Sequence, residues 1–147
     1  MTTIAAVTWR AVTRRGLANG WSTYWTLMRV MVPVYIGVSL LQRTPAFQFM
    51  ADRFAPAMSL WHLPGDAALA MVVGHCVNLY AAVAVIAAGH WDPMAVTVAG
   101  VILGVSHNHF VEGAILRQMR APALALIGMR ITVGWSLGWV VAQLMNL

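Results

Sequence analysis

Between Asp66 and Arg117 the chain carries only two charged side chains, Asp92 and Glu112. A stretch that long with so little charge has no means of covering itself against water. A membrane-spanning helix needs about 20 mostly apolar residues. Four runs meet that requirement, at 21–42, 66–88, 93–117 and 122–145. The whole chain is 61% hydrophobic and 9% charged, whereas soluble domains are about 25% charged. The solvent for this fold is therefore a bilayer. A barrel would need alternating strands of about 10 residues, and the apolar runs here are continuous. The expected fold is all-α: a single membrane domain over 1–147, built as an integral membrane helical bundle with about four spanning helices.

Local signals refine the elements. The run 21–42 opens with Trp21, Tyr24 and Trp25, aromatics suited to a headgroup boundary. It contains Arg29 and Pro33, and the proline predicts a kink. Residues 1–18 read as an amphipathic lead-in with Arg10, Arg14 and Arg15 on its polar side, not as a cleaved signal. In 45–61, Phe47, Met50, Phe54 and Met58 recur at spacings of three and four. That stripe predicts an interfacial amphipathic helix, broken near Pro56. The phrase HLPGD is a turn, with Asp66 as a candidate cap for the next helix. Asp92 and Pro93 form a cap and first turn for the third. Gly100 and Gly104 are a small-xxx-small pair suited to close helix packing or local unwinding.

All nine basic residues are Arg and the net charge is +5. No basic face interleaved with aromatics is present, so nucleic acid is not an expected partner. Arginines flanking spans are expected to meet anionic lipid. Cys76 is the single cysteine; it excludes an intramolecular disulfide and reads as a packing residue. With four spans and the N-terminus inside, Arg10, Arg14 and Arg15 oppose Arg43, Arg53, Arg117 and Arg120. That is almost no bias. Two readings follow: the 43–65 segment escapes the count because it lies in the interface, or the chain inserts both ways and pairs antiparallel, as inverted repeats do in transporters.

The polar residues within the apolar runs are the candidate site. GVSHNHFVE, residues 104–112, places His107, Asn108, His109 and Glu112 in the second half of the third run. At helical spacing, Asn108, His109 and Glu112 share a side; His107 joins them only where the helix is broken. Gly104 and Ser106 make such a break plausible. His75 and Asn78, three apart on the second run, are the expected partners across the bundle. An intramembrane glutamate needs a partner or a watery path; Arg29 and Arg130 are the candidate charge partners. Imidazole with carboxylate suits a divalent transition metal such as iron, manganese or zinc, with His75, His109 and Glu112 as its expected ligands. The same groups could relay protons, or simply lock helices together. His62 and His90, beside Trp61 and Trp91, are expected to be turn residues at the interface.

The segments RGLANGWSTYWTLMRVMVPVYIGVSLL, APAMSLWHLPGDAALAMVVG, ILGVSHNHFVEGAILRQM and GMRITVGWSLGWVVAQL, in that order, give the chain a resemblance to the nucleoside-recognition, or Gate, domain family. That family is similar to the membrane units of the bacterial ferrous-iron permease and of concentrative nucleoside transporters. The resemblance implies a bundle with broken helices and a role in transport. It also implies a second copy, or a paralogous Gate subunit, as partner, because larger members hold two units. It maps residues 104–112 onto the polar segment before the last helix and residues 62–66 onto the loop before the second span. The chain departs from the iron permease in having no GTP-binding domain and no equivalent cysteine motif. The expected function is a self-associating transport module, not an enzyme, in the bacterial cytoplasmic membrane, passing a divalent metal ion or a small solute. The alternatives are a structural or assembly subunit, a carrier of a nucleoside-like or anionic solute, or a membrane metalloenzyme.

Overall fold

The structure is a computed structural model, and it describes residues 9–146. Seven α-helices follow in order: α1 (Trp9–Leu41), α2 (Pro45–Met58), α3 (Ala67–Cys76), α4 (Leu79–Ala88), α5 (Pro93–Val105), α6 (His109–Gln118) and α7 (Ala123–Met145). A single 3-10 turn, Ser59–Trp61, prolongs α2. No strand occurs among the described residues, so the all-α membrane bundle stands.

Three segments are long and apolar enough to cross a bilayer: Trp9–Leu41, Pro93–Gln118 and Ala123–Met145. The fourth expected span, 66–88, folds back on itself. A continuous helix would hold residues 66 and 91 about 37 Å apart. Instead the Trp91 indole N–H donates to the Asp66 carboxylate at 3.1 Å. Ala70, Val85 and Ala88 share one buried cluster. A Cβ on Gly74 would lie 3.1 Å from the Ala82 Cβ. Helices α3 and α4 are thus the two arms of a hairpin whose tip is Cys76–Asn78. Each arm has 10 residues, about 15 Å of rise, which is half the hydrocarbon thickness of about 30 Å. The sequence permits this because the facing positions are small: Ala67, Ala70 and Gly74 on one arm, Ala81, Ala82, Ala84 and Ala88 on the other, all buried. Small residues let apolar helices approach closely where lipid supplies no hydrophobic drive.

The hairpin is wedged between two layers. On one side α1 runs along α4, with Val38 packed into the Ala70–Val85–Ala88 cluster. On the other, α5 and α7 pack along their length around Val98, Ile102 and Leu103, none of which is accessible. Close approach there depends on Gly134 and Gly138. A Cβ on Gly134 would sit 2.7 Å from Ser106 Oγ, and one on Gly138 would overlap the Ile102 side chain. Gly100 and Gly104, the pair that the sequence marks for close packing, face open space.

Other expectations shift in detail. The lead-in and the first run form one 33-residue helix that continues through Pro33; residues 1–8 of the lead-in lie outside the described residues. Helix α2 continues through Pro56 to Met58, so the break falls after the 3-10 turn, where His62 takes a left-handed conformation (φ 53°). Thr44 caps α2, and Asp92 caps α5 through Ala95 N–H at 2.7 Å. The Asp66 side chain makes no cap bond and serves Trp91 instead.

The hairpin also decides which arginines share an end of the bundle. Its base (Asp66, Trp91), the start of α5 and the end of α1 lie at one end, because Val38 packs beside Ala88. Helix α7 runs antiparallel to α5 and α6, with Gly138 against Ile102 and Ile127 against Gly113. The α6–α7 turn therefore lies at the far end, as does the start of α1, about 43 Å of helix rise from Val38. Arg10, Arg14, Arg15, Arg117 and Arg120 gather at that far end, and Arg43 and Arg53 at the hairpin base with Asp52, Asp66 and Asp92. The near-balance expected for four spans was a product of counting the hairpin as a crossing.

Candidate functional site

The hairpin tip meets a second interruption. Helix α5 ends where Ser106 leaves helical geometry, its backbone N–H still bonded to Ile102 O at 2.9 Å. Asn108 then adopts a left-handed conformation (φ 61°, ψ 39°), which asparagine visits more readily than other non-glycine residues. Helix α6 restarts with Glu112 N–H on Asn108 O at 3.1 Å. The break expected in the third run is present, and it is tied to the tip: Asn108 N–H donates to Gly74 O at 2.9 Å. A Cβ on Gly74 would stand 2.5 Å from Leu103 Cδ2, so the buried Leu103 side chain would have to shift to admit one. Two chain interruptions are thus pinned together at the depth where lipid could satisfy neither.

His75 sits one residue before the end of α3. Its Nδ1 lies 2.7 Å from Met71 O, which makes Nδ1 the protonated nitrogen and Nε2 the acceptor. That acceptor receives the Trp135 indole N–H at 3.4 Å. Ser106 Oγ lies 3.3 Å away while donating to Ile102 O at 2.8 Å. The His109 ring is tilted against that of His75, with centroids 5.1 Å apart. His109 is 11% exposed and sits 3.7 Å from a Glu112 oxygen, beyond hydrogen-bond distance. Both of its ring nitrogens, and Asn108 Oδ1, are buried with no hydrogen-bond partner.

Glu112 is ion-paired with Arg130 of α7. The same guanidinium donates from Nε and Nη2 to Val105 O at 3.0 and 2.7 Å. Val105 ends α5, where carbonyls lack intrahelical partners. Arg130 therefore joins the end of one half-helix to the first turn of the next. His107 turns its Nδ1 to Leu103 O at 2.8 Å. With Asn108, Glu112 and Arg130 it borders a cavity of 320 Å³.

Of the expected site residues, the structure brings His75, Asn108, His109 and Glu112 together, with His107 on the cavity wall and Arg130 as the charge partner. Asn78 is not on the His75 face: the chain turns between them, and its side chain caps α4 through Ala81 N–H at 2.8 Å. Arg29 lies on α1 over the Trp25 ring, 5.8 Å from its centroid. Cys76 is exposed at the hairpin tip, not packed. His75, His109 and Glu112 stand in a file, with the carboxylate held by Arg130. No three His, Cys, Asp or Glu side chains converge on a metal-holding position among the described residues.

Sequence reasoning named Ser106 only as a helix breaker, not as a neighbour of His75, and it missed Gly74 and Trp135 as parts of the site. Trp135 had a signal: it lies 12 residues into α7, far from either headgroup boundary, and its indole N–H needs a partner at that depth. Its carbonyl in turn accepts the Trp61 indole N–H at 2.8 Å. The two rings pack edge to face, and with Trp139 they border an apolar groove beside His75.

The chain is similar to an uncharacterized membrane protein, YvoD, of Bacillus subtilis (strain 168), with 34% identity over 116 residues. The match covers 79% of this chain and 37% of the relative, so the chain spans little more than a third of that relative's length. No family model and no solved structure matches the chain. The likeness and the three apolar spans agree on a membrane protein.

Proposed function

We propose that this chain is a small, self-associating membrane transport module that passes a polar solute across the junction of the hairpin tip and the α5–α6 break. The observation that carries the reading is the set of buried, unpartnered polar atoms at that junction: Asn108 Oδ1 and both His109 ring nitrogens. Each such atom costs on the order of 2 kcal/mol or more when left dry. Non-helical backbone at membrane depth is tolerated where it lines a cavity or is buried in protein. A purely structural lock would satisfy its own donors and acceptors, as Arg130 and Asn78 do. The resemblance to the Gate family fits this reading, as does the crossing of broken elements.

The solute favoured by the resting arrangement is small and polar. Glu112 and Arg130 neutralise each other, and the remaining groups offer hydrogen bonds without net charge. A divalent transition metal, iron, manganese or zinc, is the second reading, supported by the adjacency of the His75 and His109 rings. For that cargo Glu112 would exchange its guanidinium partner for the metal. Arg130 can release it because two hydrogen bonds to Val105 O remain. No bond-making chemistry is assigned to any residue. The arginine-rich far end, with Arg10, Arg14, Arg15, Arg117 and Arg120, faces the cytoplasm by the positive-inside tendency. The hairpin then enters from the opposite side of a bacterial cytoplasmic membrane.

The test is flux into proteoliposomes for divalent metals and for small polar solutes, with metal content measured on the purified protein. Transport predicts that Glu112→Gln and His75→Ala abolish flux while the protein stays folded. If both variants instead unfold while the wild type moves nothing, the cluster is a structural lock. A stoichiometric metal lost on Glu112→Gln with His109→Ala would select the metal cargo.

A further inference from the structure

The Glu112–Arg130 pair is not enclosed. Its side chains are 25% and 30% exposed. Helix α6 packs on α7 and α3, while Val111 and Ile115, on the outer wall of the same cavity, are each 52% exposed. The 320 Å³ cavity therefore opens sideways from the bundle. Arg130 lies seven residues into the 23-residue α7, about 10 Å from one end and about 22 Å from the other. That is inside the hydrocarbon layer, where charged groups face protein or a watery cavity. Three spans and a half-depth hairpin leave this side of the cavity without a wall.

We propose that a second copy of this chain, in the same orientation, supplies that wall by docking through the α6–α7 face. Two features choose this occupant. The first is charge: an acid and a base side by side form a self-complementary patch. A two-fold axis that sets the Glu112 of one copy against Arg130 of the other forms the reciprocal contact at the same time, as in any isologous interface. The second is depth. An axis along the membrane normal places the two pairs at the same level wherever they lie. Antiparallel copies would offset pairs this far from the middle of α7 by about 12 Å. The arginine distribution, five at one end and two at the other, also sends every copy into the membrane the same way. The cavity then becomes a closed chamber on the two-fold axis, lined twice by His107, Glu112 and Arg130. This inference deepens the transport reading and rests on it for the need of an enclosed polar path.

The test is disulfide trapping of the full chain in its membrane. Val111→Cys and, separately, Ile115→Cys are made with Cys76→Ser and oxidised, with Val83→Cys on the hairpin's outer face as control. Self-cross-linking at either α6 position, and none at the control, is the expected result. In the uncross-linked protein, Glu112→Gln should weaken dimer formation in lipid about 3- to 20-fold, the span of measured interhelical polar contacts in membranes. A dimer by subunit counting in lipid, with neither α6 position trapped, would overturn the parallel α6–α7 arrangement. A monomer by subunit counting in lipid, with neither position trapped, would overturn the dimer. Flux measured on the same samples separates the two ideas: a trapped dimer without transport sinks only the transport reading, and a transporting monomer sinks only this one.

Discussion

A pair of cysteines at positions 62 and 90 discriminates the hairpin from a spanning helix. His62 and His90 are both exposed turn residues, one on each side of the α3–α4 segment. His62→Cys and His90→Cys, each in a Cys76→Ser background, disturb no buried contact. Were 66–88 a spanning helix, the two positions would lie on opposite sides of the membrane. Residues 66 and 90 alone would be separated by about 36 Å of helix. The Trp91–Asp66 hydrogen bond at 3.1 Å allows no such separation. It places both positions at the hairpin base, on the side away from Gln118. A membrane-impermeant maleimide applied to intact cells should therefore label 62 and 90 alike and Gln118→Cys oppositely. Spin labels on the 62/90 double variant should report a distance below about 25 Å, label arms included. Opposite labelling of 62 and 90, or a distance near 36 Å, would refute the fold-back and restore a four-span count.

Packing and polar satisfaction give three more expectations. Gly138→Val drives a side chain into Ile102 and should cost about 1–3 kcal/mol of stability in detergent unfolding; Gly100→Val, facing open space, should stay within about 0.5 kcal/mol. Arg130→Met strips Glu112 and Val105 O of their partner and should destabilise by about 1–2 kcal/mol, scaled down from a fully buried pair because this one is partly exposed. Adding Glu112→Met should recover part of that loss in the same unfolding measurement. Asn108→Val should destabilise by about 1–2 kcal/mol, since a left-handed backbone resists a branched side chain. Asn108→Gly should keep the fold yet lose the unpartnered Oδ1, so its flux, and not its melting temperature, should fall.

Much of this molecule was legible because a bilayer imposes simple rules. The runs containing α1, α5–α6 and α7, the Asp92–Pro93 start of α5 and the interruption at Ser106–Asn108 follow from apolar length, capping chemistry and the cost of polar groups at depth. The concentration of polar residues in GVSHNHFVE also led to the site. What stayed hidden were properties of pairing. Gly100–Gly104 and Gly134–Gly138 are the same motif by spacing, and only the neighbour across α5 and α7 decides which pair is used. Asn78 shares a helical face with His75 only if the helix continues between them. Arg29 and Arg130 are alike in sequence, and the antiparallel run of α7 past α6 chose Arg130.

The hairpin is the hardest of these to read, because 66–88 is apolar throughout and long enough to span. Its signal lies in composition, not hydropathy: both arms are dominated by alanine, with Gly74 near the tip and a self-capping Asn78 at the turn. A helix that faces lipid on most sides gains nothing from alanine, whereas two helices held against each other and against α1 and α5 need small side chains on several faces at once. That same turn converts the arginine count from three against four into five against two. The reading of the chain's orientation, and with it the geometry of any partner copy, therefore depends on two residues, Val77 and Asn78, that carry no charge. Had the segment crossed, antiparallel pairing would have been the natural way to build symmetry around the site. Because it turns back, the proposed partner copies would enter the membrane alike, and symmetry about the membrane normal is the arrangement left to them.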